Sequence, residues 1–256
     1  MPSAKPSAPA RTERELRPSP HGRSGREPAP GSSEREPRLR DREPESPARE
    51  PRRYRGLSVA ERHEQRRERL LEAGLELFGT RGYAGSSIRA VSQQAQLNSR
   101  YFYESFSSRE DLLYHVYQRA VHDVAAAVIE ATAAEHELEA QARAGLLVAW
   151  RMLTGDRRKA RVIVLEAVGV SERLERLRRQ NRHAFADILV RNAMAIGGEG
   201  VRLRMDPVLT ARALIGAGME LLVDWINDDL DAPIEDIVEH LTKMYTAVAL
   251  ASVRRG

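Results

Sequence analysis

From residue 58 onward, apolar residues recur along the chain at intervals of three and four, the spacing of amphipathic helices. Alternating runs of β-branched residues, which would indicate strands, are missing from this part. The pattern therefore predicts an all-α fold of about nine helices, separated by glycines, prolines and capping residues. The predicted helices cover residues 58–80, 87–95, 99–106, 109–133, 137–153, 156–168, 171–196, 206–227 and 233–253.

Two capping patterns in the sequence predict where helices begin. Ser58, followed three residues later by Glu61, forms the pattern of a capping box. Asp206 precedes Pro207, and proline at the first helical position loses no hydrogen bond.

The first 53 residues have a different composition, rich in Pro, Arg, Glu, Ser and Gly. Eleven of the 13 prolines lie between Pro2 and Pro51, and Leu16 and Leu39 are the leucines of this segment. Such a segment buries too little apolar surface to offset its ordering entropy, so we predict a disordered tail over residues 1–53.

The net charge of +4 also belongs to this tail, because its 13 basic and 9 acidic residues leave 28 of each in the rest of the chain. The basic isoelectric point is therefore weak support for nucleic-acid binding by the folded part. The tail is either a solvated extension or a basic arm that attracts phosphates.

Residues 87–106 have the pattern of a helix-turn-helix, in which two short helices are joined by the turn 96–98. Ile88, Val91, Ala95, Leu97, Phe102 and Phe106 are its predicted inward positions. The second helix then presents a hydroxyl, an arginine and a tyrosine on its outward face. Arginine can donate two hydrogen bonds to guanine in the major groove, so this face is a candidate for base recognition.

The order and spacing of about fifty residues resemble the DNA-binding domain of the TetR (tetracycline-repressor) family of bacterial transcription regulators. The matching positions are Leu70, Leu71, Ala73, Leu77, Phe78, Gly82, Tyr83, Ser86, Ser87, Ile88, Val91, Ala95, Tyr103, Phe106, Ser108, Arg109, Glu110 and Leu112. After the tail over 1–53, which composition predicts, the resemblance implies a DNA-binding domain over 54–108 and a helical effector-binding and dimerisation domain over 109–256.

The resemblance also implies roles for single residues. Those expected to contact bases or phosphates, or to anchor the recognition helix, are Ser87, Arg89, Asn98, Ser99, Arg100, Tyr101, Tyr103, Ser105 and Arg109. Two positions depart from the family. Gln96 stands where a turn glycine is common, so a left-handed conformation there would cost about 1 kcal/mol. Arg100 replaces a small residue, so the operator sequence cannot be copied from relatives.

The resemblance places a homodimer interface on the last two helices, which carry apolar stripes; intramolecular packing is the alternative use of these stripes. The expected interface residues are Ile215, Met219, Leu222, Ile237, Leu241, Tyr245 and Val248. Polar and aromatic residues on apolar helices are candidates for the effector pocket. These candidates are His122, Trp150, Glu166, His183, Phe185 and Trp225.

No cysteine, metal-binding motif, nucleotide loop or catalytic signature occurs, so we expect neither a cofactor or metal nor an enzyme. No apolar run of membrane-spanning length occurs, and the charged, proline-rich start lacks a secretory signal, so a cytoplasmic location is expected. The resemblance implies a DNA-binding regulator, by the habit of the family a repressor, that binds a pseudo-palindromic operator as a dimer and is released by a small-molecule effector. The alternative is a helical small-molecule-binding or scaffold protein whose helix-turn-helix no longer binds DNA.

Overall fold

The computed structural model describes residues 58–197, 202–203 and 205–254, so the predicted tail over 1–53 lies outside the described residues. Within these ranges the fold is helical, and nine α-helices match the predicted order. They are α1 (Val59–Arg81), α2 (Ile88–Gln94), α3 (Ser99–Ser105), α4 (Arg109–Ala133), α5 (Leu138–Gly155), α6 (Arg157–Arg161), α7 (Glu172–Gly197), α8 (Pro207–Ile226) and α9 (Ile234–Ser252). A two-residue antiparallel ladder, β1 (Arg202–Leu203) with β2 (Val253–Arg254), was not predicted, since so short a pairing leaves no periodic pattern.

The capping residues read from the sequence form the expected bonds. The Ser58 hydroxyl accepts a hydrogen bond from the Glu61 amide at 3.1 Å, and the Glu61 carboxylate accepts one from the Ser58 amide at 2.6 Å. The Asp206 carboxylate accepts from the amides of Val208 and Leu209 at 2.8 and 2.9 Å. These side chains satisfy amides that have no partner within the helix, which explains why the helix starts were predictable.

The predicted helix over 156–168 divides into two parts. After α6 the backbone widens into a π-helical segment, Val162–Glu166, which we name the π-turn. The Ala167 amide donates to the Val162 carbonyl five residues earlier, at 3.3 Å. Side-chain spacing carries no signal for such a bulge, which is rare and occurs frequently at functional sites.

The three N-terminal helices share their core with α4. Phe78, Phe102 and Phe106 are almost completely buried between α1, α3 and α4. A Cβ atom at Gly74 of α1 would lie 3.0 Å from a methyl carbon of Leu112, so α1 and α4 approach closely there. Because truncation of such an aromatic residue costs about 3–5 kcal/mol, this cluster fixes the orientation of the helix-turn-helix.

The remaining helices pack around α4 and α5. α5 lies against α4 and α9, and α7 lies against α8. The buried residues form one continuous cluster from Leu70 in α1 to Leu241 in α9. None of the helices in the described ranges is long and apolar enough to cross a membrane.

The closest backbone approach between α1 and α6 occurs at Gly79. A Cβ atom built there would lie 2.4 Å from the Arg158 Cβ and 2.6 Å from its Cα, distances that real side chains do not adopt. The Arg158 guanidinium reaches back to α1, where it lies 2.8 Å from the Glu76 carboxylate, and it also lies 2.9 Å from the Asp156 carboxylate. Its hydrogen bonds hold the pKa of Asp156 below the ordinary value.

We expect Gly79→Ala to destabilise the protein by about 1–3 kcal/mol, because the added methyl group meets backbone atoms of α6 rather than a flexible side chain. Thermal unfolding measures the change. Gly155→Ala is the matched control, since nothing lies within 4 Å of a Cβ at that position. Equal melting temperatures for the two variants would show that α1 and α6 do not pack at Gly79 as described.

Candidate functional site

The outward face of α3 forms the first candidate site. Phe102 points into the core and is fully buried, whereas Arg100, Tyr101 and Tyr103 are exposed on the other sides of this short helix. Arg100 is 85% exposed and Tyr103 is 62% exposed. A helix held by a buried aromatic residue and presenting donors to solvent has the arrangement of a recognition helix.

The turn before α3 has the strained residue that the sequence predicts. Gln96 adopts a left-handed conformation with φ +53°. The Arg69 guanidinium of α1 donates to the carbonyl oxygens of Ala95 and Gln96, which holds the turn in place. Asn98 caps α3, since its side-chain oxygen accepts from the Arg100 amide at 2.9 Å.

Arg100 and Tyr101 already have partners on the protein. The Arg100 guanidinium lies 3.5 Å from the Glu104 carboxylate one turn along the helix. The Arg66 guanidinium lies 3.6 Å from the same carboxylate and 4.6 Å from the centre of the Tyr101 ring. Glu104 therefore neutralises part of the positive charge on this face and directs both arginine side chains toward α3.

Ser87 and Arg89 lie at the start of α2. The Ser87 hydroxyl caps that helix by accepting from the Ala90 amide at 3.1 Å. Both residues are exposed, as expected for groups that contact a DNA backbone. Ser99 is half-buried at the start of α3.

Two of the expected DNA contacts need correction. The Ser105 hydroxyl is buried and has no hydrogen-bond partner among the described residues, because the last turn of α3 faces the protein. The Arg109 guanidinium donates to the Ser86 carbonyl and stacks on the Tyr83 ring with 4.1 Å to its centre. Arg109 therefore stabilises the loop before α2. Its position in the sequence does not indicate this role.

The second candidate site is a cavity of about 200 Å³ between α4, α5, α7, α8 and α9. On α4 its wall runs from Tyr117 to Thr132, over a length of about 22 Å at the helical rise of 1.5 Å per residue. Aliphatic and aromatic side chains form most of the wall. The volume far exceeds the about 15 Å³ that one water molecule needs, so the cavity has room for an organic ligand.

The electrostatics of the cavity depend on a single charge. Burial raises the pKa of Tyr117, and it raises the pKa of Tyr245 to about 12, so both phenols are neutral at physiological pH. No carboxylate lines the wall among the described residues, and Arg182 is the ionisable group that carries charge there. The site is therefore apolar with one positive end.

The predicted pocket residues divide into two groups. Trp150 and Phe185 line the cavity. The other four, His122, His183, Trp225 and Glu166, need correction. His122 and His183 are exposed on the outer faces of α4 and α7. Trp225 packs outside the cavity, with the Arg157 guanidinium 5.2 Å from the centre of its ring. Glu166 ends the π-turn and bonds to the DNA-binding part.

Glu166 makes a specific connection between the two candidate sites. Its carboxylate accepts from the Tyr83 amide at 2.7 Å and from the Arg161 guanidinium at 2.8 Å. It also lies against Gly82, which has φ +78° at the end of α1. Three residues before Glu166, Ile163 of the same π-turn lines the cavity.

Four of the seven predicted interface residues need correction, because the structure buries them inside the chain. Leu222, Ile237, Leu241 and Tyr245 are buried within it. Ile215 and Met219 line the cavity together with Leu222, Leu241 and Tyr245. Val248 is half-buried. A helix stripe read from sequence does not distinguish contacts within a chain from contacts between chains. The intramolecular alternative applies to the four buried residues, whereas a place in an interface stays a prediction for Ile215, Met219 and Val248.

The predicted pocket residues omit several polar residues of the cavity wall, among them Thr132, Gln141, Asn181, Arg182 and Asn192. Asn181 and Arg182 lie four and three residues before Phe185, so they share its helix face, which is the signal that could have identified them. Within the described ranges no group of three His, Cys, Asp or Glu side chains could hold a metal ion.

Residues 70–116 match the family described as bacterial regulatory proteins, tetR family. No curated protein sequence matches the chain. Similar solved structures include the FadR regulator of Bacillus subtilis in complex with stearoyl-CoA, with 17% identity, a TM-score of 0.63, and coverage of 71% of this chain and 98% of that one.

A tetR-family regulatory protein from Rhodococcus RHA1 is similar at 17% identity and a TM-score of 0.59, over 74% of this chain and 98% of that chain. AibR, in complex with isovaleryl coenzyme A and operator DNA, is similar at 18% identity and a TM-score of 0.57, over 70% and 97%. At these identities the solved structures establish a common fold, and the family match covers the helix-turn-helix itself. The match to the tetR family of bacterial regulatory proteins thus covers residues 70–116, and the rest of the chain shares the fold of these solved regulators.

Proposed function

We propose that this protein is a ligand-responsive transcription regulator that binds operator DNA through α3. The observation that carries the proposal is the exposed face of α3, with Arg100, Tyr101 and Tyr103 opposite the buried Phe102. The family match covers this helix, and AibR was crystallised with operator DNA. A regulator of this kind is not an enzyme, and it acts in the cytoplasm, where bacterial DNA lies.

We assign base recognition to Ser99 and Arg100, and phosphate contact to Tyr103. Arg100 must exchange its 3.5 Å pair with Glu104 for a partner on DNA. An exposed ion pair contributes less than about 1 kcal/mol, so a bidentate contact to guanine outweighs it. Ser87 and Arg89 contact the backbone at the start of α2, where amides also face the phosphates.

The neutral charge of residues 54–256 limits the general attraction to DNA. Affinity must then come from local contacts more than from a positive surface, and the basic tail over 1–53 adds to the attraction. A dimer doubles the number of contacts and places two recognition helices about one DNA turn apart.

We propose that the homodimer forms through the outward faces of α8 and α9, since the inward faces are occupied within the chain. Leu209 is 66% exposed and Leu250 is 61% exposed. Ala213 and Gly216 follow Leu209 at helical spacing on the same exposed face of α8, and small residues let two helices approach closely. A two-fold axis at this face builds a four-helix arrangement from α8 and α9 of both subunits.

The effector site is the cavity, and we propose that the π-turn transmits its occupancy. Ile163 contacts a ligand, and the backbone of the same segment carries Glu166, which holds the Tyr83 amide. Displacement of Ile163 therefore moves the end of α1 and the loop to α2. For full release, the ligand must favour the non-binding state by several kcal/mol.

The DNA-binding role predicts that a selection from random duplexes enriches an inverted repeat with half-sites about 10 bp apart. On that sequence we expect Arg100→Ala to cost about 1–3 kcal/mol of binding free energy and Tyr103→Phe about 1 kcal/mol, measured by fluorescence anisotropy. Ser105→Ala is the control on the same helix, because its buried hydroxyl has no partner. Undiminished affinity in both test variants would remove this docking mode, and no enrichment at low salt would favour the scaffold alternative.

The coupling role of Glu166 predicts a specific defect in Glu166→Ala. We expect operator affinity without effector to change by less than about threefold, while release by an effector found in a screen weakens at least about fivefold, since the link is worth about 1–3 kcal/mol. Glu175→Ala is matched, because Glu175 also accepts from a backbone amide (Gly169, 2.8 Å) and pairs with an arginine, but contacts no DNA-binding helix. Equal release in both variants and wild type would contradict the assignment.

The proposed interface predicts that Ala213→Glu converts the dimer into a monomer, because two carboxylates would face each other across the two-fold axis. Light scattering measures the mass against the 28.7 kDa of one chain. Ile129→Glu on α4 is the control, at an apolar position that is 53% exposed but lies away from α8 and α9. A variant that stays dimeric would place the interface elsewhere.

A further inference from the structure

The cavity wall has two chemically different ends, and each of them places a demand on a ligand. The first end is next to Arg182 and Tyr117. The start of α7 lies beside the start of α4, where the Arg173 guanidinium is 2.8 Å from the Asp111 carboxylate. Arg182 of α7 therefore lies at the Tyr117 end of the cavity rather than at the Thr132 end.

Arg182 has no carboxylate partner among the described residues, although its neighbour on the same face, Arg178, is 2.8 Å from Glu175. It is half-buried, and the other residues of the wall are uncharged. The charge of Arg182 contributes to the lowered pKa of Glu175, but the Glu175 carboxylate is bonded to Arg178 and to the Gly169 amide. A charged group that is partly removed from water and has no ion-pair partner favours an ion of opposite sign. The first end therefore favours an oxyanion.

The second end is next to Gln141 and Thr132. The Gln141 amide nitrogen donates to the Glu135 carbonyl at 2.8 Å, which orients the side chain. Gln141 is part of the cavity wall, and its carbonyl oxygen is buried without a hydrogen-bond partner among the described residues. Because a buried acceptor without a partner costs free energy, this end favours a hydrogen-bond donor.

Between these ends the wall on α4 consists of Val121, Val124 and Val128, faced by Trp150, Phe185 and Leu222. The separation of about 22 Å along α4 suits an extended chain of roughly 16 carbons, at roughly 1.3 Å per methylene. These apolar side chains form no hydrogen bonds with a polar chain, whereas the burial of methylene groups against them is favourable.

We propose that the effector is a long apolar chain with an oxyanion held at Arg182 and a hydroxyl or other donor that bonds to the Gln141 carbonyl oxygen. The inference rests on the proposed function only in using this cavity as the effector site. A fatty acid supplies the oxyanion as a carboxylate, and an acyl-CoA supplies it as phosphate.

The test measures binding to the full-length protein without DNA, by calorimetry, so that it stays independent of DNA release. The probes are hexadecanoate, its ω-hydroxy derivative, hexadecanol and hexadecanoyl-CoA. We expect both acids to bind at least about tenfold more tightly than the alcohol, and the ω-hydroxy acid to bind more tightly than the plain acid. Tighter binding of the CoA thioester than of either acid would assign the oxyanion to phosphate.

Arg182→Gln should remove the preference for acids over the alcohol, whereas Arg179→Gln, at the neighbouring exposed arginine, should keep it. Gln141→Leu should remove the preference for the ω-hydroxyl group and leave hexadecanoate binding intact. An alcohol that binds as tightly as the acids, or an unchanged preference in Arg182→Gln, would overturn the proposal. Tight, Arg182-dependent binding that does not release DNA would support the ligand assignment and overturn the proposed function instead.

Discussion

The arrangement of this protein depends on the contact between the end of α1 and the segment formed by α6 and the π-turn. At Gly79 the two backbones approach so closely that no side chain fits between them. Arg158 adds ion pairs to Glu72 and Glu76 on one side, and Glu166 bonds to the Tyr83 amide on the other. The DNA-binding helices are therefore attached to the rest of the chain by α6 and the π-turn, in addition to their common core with α4.

This contact also explains why the cavity and α3 can influence each other. Ile163 lines the cavity, and its neighbours in the π-turn reach α1 without an intervening loop. α3 in turn follows α1, because Phe102 is buried between them and Arg66 and Arg69 hold Glu104 and the turn before α3. The cavity at one end of the chain is therefore connected to the exposed face of α3 at the other through packed side chains and hydrogen bonds.

The sequence predicts the helices well because capping and periodicity are local. Ser58, Ser87 and Asp206 begin helices where expected, and Gln96 has the left-handed conformation anticipated at a position where relatives often have glycine. The π-turn was not predictable, because a change from α to π spacing over five residues does not alter the apolar pattern.

Site residues were predicted less well, because their roles depend on packing between distant parts of the chain. Polar residues on apolar helices were expected in the pocket, yet Glu166 bonds to Tyr83 and His122 faces solvent. Arg182 was overlooked on a helix rich in charge, although it lies on the same helix face as Phe185, which was predicted to line the pocket. The stripes on α8 and α9 were assigned to a dimer interface, while the structure places five of the seven assigned residues in the cavity wall.

The absence of a side chain at Gly79 has a mechanical consequence. Arg66, which holds α3 through Glu104, is 13 positions before Gly79 on α1, a distance of about 20 Å along the helix. If Gly79 acts as a fulcrum, a rotation of α1 by about 6° displaces α3 by about 2 Å, more than the tolerance of a direct hydrogen bond to a base. A small displacement of a side chain near Gly79 therefore produces a larger displacement of α3. The protein can then change between a DNA-bound and a released state without unfolding α3.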